Sequence, residues 1–153
     1  MYTKTRMRLL RSALLALAMA LPSGFVVAAE PREMTQAEVN ASIRANPDLY
    51  NPLFTAGIIR QVVKYCDSLA GPSRMQRQAY FMPIYLAARR VGYSRAQLEA
   101  FVEDEGEREH MKMLVAQYLA QYGVELSDND AVCAFGRQQI EAGTAIGQRL
   151  RER

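Results

Sequence analysis

The sequence has little of what most small reaction centres need. One histidine, His110, stands in its 153 residues, and that scarcity excludes several sites at once. Glu107-x-x-His110 has the form that supplies half of a di-iron centre in a helical bundle, but such a centre within one chain needs the pair twice. Zinc sites built on His-x-x-x-His and multi-histidine copper sites fail for the same reason. The two cysteines, Cys66 and Cys133, are too far apart for a Cys-x-x-Cys redox motif. No Gly-x-Ser-x-Gly nucleophile elbow occurs. The acids Glu99, Glu103, Asp104, Glu105, Glu107 and Glu109 do not follow the EF-hand spacing around Gly106, and they read as a solvated helix start that suits the positive end of the helix dipole. No catalytic residue, metal ligand or cofactor is therefore expected.

Acid is also absent from the first 29 residues. There Lys4, Arg6, Arg8 and Arg11 precede an apolar run from Ala13 to Leu21, followed by Pro22-Ser23-Gly24 and the small residues Val26-Val27-Ala28-Ala29. This is the pattern of a secretory signal peptide over 1–29, with cleavage after Ala28 or Ala29 and a single helical domain over 30–153. A membrane anchor would need about 20 uninterrupted apolar residues, so no stable span is expected once the signal is removed. No cysteine lies near the cleavage region, which excludes a lipid-anchored form. Without the leader the chain keeps 15 basic and 16 acidic side chains, a net charge of −1. The basic isoelectric point thus belongs to the precursor, and no nucleic-acid partner is expected. The expected location is the periplasm of a Gram-negative bacterium.

Export bears on the cysteines. An even number in an oxidising compartment normally pairs, two buried free thiols being the alternative.

Helical signals fill the rest of the chain. Thr35-Gln36-Ala37-Glu38 is a capping box that predicts a helix from about Gln36 to Ala45. Asn46-Pro47-Asp48 is expected to stop it, and Asn51 to cap a second helix with Pro52 at its first position. Along that helix Ile58, Ile59, Val62, Cys66 and Leu69 share one face, with Arg60, Gln61 and Lys64 away from its centre. Gly71-Pro72-Ser73 opens a third helix, in which Ala79 to Ala88 runs ten residues without a charge. A helix apolar all round reads as the centre of a bundle or as partly a docking surface, with a kink at Pro83. Gly92 ends it, and Ser94 with Gln97 starts a fourth that carries Leu98, Phe101 and Val102 inward. A fifth is patterned by Met111, Leu114, Val115, Tyr118, Leu119 and Tyr122 and closed by Gly123. In the last helix Val132, Gly136, Ile140, Gly143, Gly147 and Leu150 form one stripe, whose glycines predict close approach of another backbone. The polar neighbours of Gly143-x-x-x-Gly147 make this packing in water rather than a membrane seam. No alternating strand pattern is visible. The fold class expected is all-α, a compact bundle of five or six helices stapled by one disulfide.

Several short blocks carry a resemblance. Asn51-Pro52-Leu53-Phe54, the lone Cys66, Gly92-Tyr93-Ser94-x-Ala96, Ala100-Phe101-Val102, Tyr118-Leu119-Ala120 with Gly123-Val124, and Cys133-Ala134-x-Gly136-Arg137-x-x-Ile140 with Ile146-Gly147 resemble a domain-of-unknown-function family, DUF family 5333, of small exported alphaproteobacterial proteins. The resemblance implies a periplasmic helical domain with a Cys66–Cys133 bridge, and it transfers no activity.

The function expected is a binding or chaperone-like module whose partner is a protein of the cell envelope. Its candidate binding residues are Tyr80, Phe81, Met82 and Tyr85, because aromatic and methionine side chains supply adaptable contact area. Plain core is the competing reading of the same four residues. The alternative function is a cell-envelope hydrolase with a carboxylate pair drawn from residues 99–109.

Overall fold

Each of the six α-helices among the described residues of the computed structural model begins at a side chain that caps it. The structure describes residues 33–153, so the expected leader and its cleavage point lie outside the described residues. Helix α1 spans Gln36–Ala45 behind the full Thr35/Glu38 capping box. The Thr35 N–H donates to the Glu38 carboxylate, which holds that carboxyl below its ordinary range. The α3 helix (Arg74–Arg90) and α4 (Arg95–Glu103) start with the same reciprocal device at Ser73/Gln76 and Ser94/Gln97. Asp104 caps α5 (Glu105–Ala120) and Asp128 caps α6 (Asn129–Glu141), each accepting from a backbone N–H three residues on.

The start of the second helix differs from the expectation. Asn46 ends α1 and at once caps α2 (Pro47–Tyr65), its side chain accepting from the Asp48 N–H. Pro47 takes the first helical position, where a missing N–H is harmless, and Pro52 sits inside the helix. Two Asn-Pro pairs compete for one start, and the earlier one wins because α1 and α2 share a single corner residue.

Helix α2 is the spine. Ile58, Ile59 and Val62 join Val115 and Leu119 of α5 and Phe135 of α6 in one core cluster. Leu49, near its start, joins Val39 and Ile43 of α1, Ala88 of α3 and Phe101 of α4 in a second. The expected inward face is therefore buried, Cys66 included, although the helix ends at Tyr65 and Leu69 lies beyond it. Gln61 is buried as well.

Because α2 occupies the centre, α3 does not. Of its residues only Ala88 is buried, so the reading of α3 as the central helix is corrected: it lies at the edge, running unbroken through Pro83. Val102, expected inward, is 63% exposed, while Leu98 and Phe101 pack on the second core.

Cys66 and Cys133 form a disulfide with Cα atoms 5.1 Å apart, within the range for an ordinary bridge. It joins the end of α2 to α6. Closing a loop of 67 residues contributes about 4 kcal/mol on the loop-entropy account. Just beyond Cys66, strand β1 (Leu69–Ala70) pairs antiparallel with β2 (Arg151–Glu152), Leu69 opposite Glu152 and Ala70 opposite Arg151. Two residues are too few for an alternating pattern, which is why no strand is legible in the sequence.

The glycine stripe divides. Helix α6 ends at Glu141, so Gly143 and Gly147 are not on it. At Gly136 an added Cβ would stand 2.3 Å from Leu69 Cδ1 and 2.9 Å from Val62 Cγ1. At Gly147 it would stand 1.8 Å from the Gln139 carbonyl oxygen, with the turn locked by Gly147 N–H donating to Thr144 Oγ1. Gly143 is different: it has φ +61° and open space around it, and it serves as the helix terminator rather than a packing contact. Gly147→Ala should therefore cost about 3 kcal/mol or more, since backbone must move. Gly143→Ala should cost only about 1 kcal/mol, the strain of a left-handed residue. Urea melts of the two variants check the order, and an equal loss would mean that Gly143 is packed after all.

Candidate functional site

Helix α3 is held to the body at two places. The Tyr80 hydroxyl donates to the Pro52 carbonyl of α2 at 2.8 Å, and the ring carries the Arg149 guanidinium 4.4 Å from its centroid. Burial raises the Tyr80 phenol above its usual range, and the nearby Arg149 charge offsets part of that rise. One to two turns later Ile84, Ala87 and Ala88 pack into the second core. Between these anchors Phe81, Met82 and Tyr85 remain 38%, 45% and 37% exposed.

Those three residues form one wall of a cleft of about 1890 Å³. Ile59 and Val63 of α2, Leu98 of α4, Met111 of α5 and residues 148–151 also line it. Of the four sequence candidates, Phe81, Met82 and Tyr85 present apolar surface to the cleft. Tyr80 also lines it, but its hydroxyl and ring are engaged in holding α3 in place.

Sequence reading missed the charges around this cleft. Arg77 donates to the Pro72 carbonyl at 2.9 Å and Arg151 to the neighbouring Gly71 carbonyl at 2.5 Å. Arg149 donates to the Ala145 carbonyl at 2.7 Å. Three guanidinium groups are thus positioned by backbone oxygens at one end of the cleft, with no carboxylate ion-paired to any of them among the described residues. They come from two segments more than 70 residues apart in the chain, brought together by the β1–β2 pairing and by Arg149 on the Tyr80 ring.

The acidic segment is mostly employed in structure. Glu99 pairs with Arg95 at 2.7 Å, Glu109 pairs with Lys112, and Asp104 accepts from the Glu107 N–H. Glu107 pairs with Arg44 of α1, and its side chain is only 10% exposed. Its second oxygen, Oε2, and the Tyr50 hydroxyl are buried without a hydrogen-bond partner. The Tyr50 phenol is raised by burial and then by the Glu107 charge, with Arg44 acting in the opposite sense. Among the described residues no three His, Cys, Asp or Glu side chains converge as a metal site would need. No helix among them is long and apolar enough to cross a membrane.

A family model described as a family of unknown function, DUF5333, matches residues 41–151 of the chain. No curated protein and no solved structure matches it.

The Arg44–Glu107 pair ties α1 to α5 across a poorly hydrated corner. Arg44→Met leaves a nine-tenths buried carboxylate without its counter-charge, and a loss of about 2 kcal/mol is expected, reduced from the fully buried case because Arg44 is itself partly in water. Arg95→Met removes only an exposed pair on one helix and should leave the stability nearly unchanged. Denaturant melts compare the two. Equal losses would mean that the Glu107 carboxylate is solvated.

Proposed function

The chain belongs to the DUF5333 family of unknown function, and from that premise we propose that it is an exported periplasmic binding module that receives a protein partner of the cell envelope in the cleft beside α3. The observation that carries this reading is the exposure of Phe81, Met82 and Tyr85 on a wall of that cleft. A helix with ten uncharged residues in succession and one buried position has left its apolar surface uncovered, and surface of this kind marks interaction sites in water-soluble domains. The basic, apolar and small-residue order of the first 29 residues supports export, and the disulfide is in keeping with an oxidising compartment. A chaperone-like role uses the same cleft with a less selective partner. A hydrolase with a carboxylate pair has less behind it, since Glu99, Asp104, Glu107 and Glu109 are each engaged in a cap or an ion pair.

Phe81→Glu and Tyr85→Glu test the cleft. Placed on exposed positions, each should change the unfolding free energy by less than about 1 kcal/mol. Each should also abolish the fluorescence gain of anilinonaphthalene sulfonate, a dye that reports accessible apolar surface. Severe destabilisation by both, or dye binding unaffected by both, would remove the reading. Export is checked separately: protein released by osmotic shock should begin at Ala29 or Glu30, and full-length chain confined to the cytoplasm would overturn it.

A further inference from the structure

We propose that the occupant of the cleft is an acidic amphipathic helix of the partner protein, held by its apolar face on Phe81, Met82 and Tyr85 and by its carboxylates on Arg77, Arg149 and Arg151; this deepens the binding reading above and rests on it. Size is the first reason. Pockets for small molecules enclose roughly 300–1,000 Å³, well under this cleft's volume of about 1890 Å³. A cleft of that order has room for a helical segment of a few turns, each rising about 5.4 Å.

Charge is the second. The cleft is lined by six arginines, Arg60, Arg77, Arg95, Arg108, Arg149 and Arg151, and three glutamates. Glu99 is taken by Arg95 and Glu107 by Arg44, so Glu103 alone is left to oppose the other five arginines. Arg77, Arg108, Arg149 and Arg151 donate to backbone carbonyls, which orients each guanidinium while leaving its charge uncompensated and further N–H groups free for an incoming carboxylate. Apolar walls with a cationic rim match a helix that is apolar on one face and anionic on the other. The chain's own leader, with four basic residues and no acidic one, has the wrong sign for this rim.

The test uses three synthetic helical peptides of about 14 residues that share one leucine face and differ in the polar face, which is glutamate, glutamine or lysine. With the intact disulfide-bonded protein, the glutamate peptide should bind about tenfold more tightly than the glutamine peptide, and the lysine peptide should bind weakest. The glutamate advantage should shrink at high salt. It should also vanish in the triple variant Arg77→Gln, Arg149→Gln, Arg151→Gln. If that variant fails to fold by circular dichroism, Arg77→Gln alone, on an exposed side chain, should still reduce the advantage by about threefold.

Equal binding of the glutamate and glutamine peptides would overturn the acidic partner and leave the cleft reading in place. Failure of all three peptides, while the dye still binds in a Phe81-dependent way, would do the same. Arginine-dependent binding of oleate without binding of any peptide would overturn the inference in favour of a lipid occupant. Failure of peptides and dye together would remove the cleft reading as well.

Discussion

The join between the end of α2 and α6 is the constraint on which the other parts depend. The Cys66–Cys133 bridge pins the residue that caps the end of the spine helix to α6. Beyond the bridge the chain turns, with Leu69 fully buried. That turn offers Leu69–Ala70 as a short edge to which Arg151–Glu152 returns. The Arg153 N–H donating to the Ser68 carbonyl and the Arg151 side chain on the Gly71 carbonyl complete the closure. One covalent tie therefore sets where the C-terminal residues lie, and through them where Arg149 and Arg151 meet the cleft. Gly147 makes the return possible, because any larger residue would collide with the Gln139 carbonyl.

The central place of α2 has the opposite consequence for α3. A long helix that buries residues in both clusters leaves no second central position. The apolar stretch of α3 then cannot be covered on all sides, however uncharged it is. It is anchored by a hydrogen bond from Tyr80 and by Ile84, Ala87 and Ala88, and the surface between these anchors faces open space. Exposed apolar surface weakens a small domain unless something covers it, since burial of such groups is the main favourable term in folding.

Local signals were legible where the chemistry is local. The box at Thr35, the Ser94/Gln97 start, the Gly71-Pro72-Ser73 opening and the terminating glycines at 92 and 123 act within four residues of themselves, so their sequence positions suffice, although the Ser73/Gln76 box is seen only in the structure. The second-helix start is not decided by local sequence, because Asn46-Pro47 and Asn51-Pro52 carry the same signal and the structure uses the earlier one. Val102 follows a helical apolar pattern yet faces water, since none of the described elements covers that side of α4. Gly143 keeps the helical spacing of Gly136 and Gly147 and so suggests packing, but the helix has already ended before it. In the candidate site, Phe81, Met82 and Tyr85 are visible as uncharged residues in sequence, whereas the arginine rim is not, because its members come from α3 and from the C-terminal segment 149–151.

The all-helical class, most of the helix starts and stops, the inward face of α2 and the possibility of a single disulfide are written in the order of the residues. These follow from interactions that reach no further than one helical turn, or from the simple count of thiols. Tertiary structure alone decided which helix lies at the centre, which glycine meets a backbone, and which arginines share a cleft with the exposed face of α3. Those outcomes depend on competition between distant segments for the same buried space, and a helical period records that a face is apolar without recording what covers it.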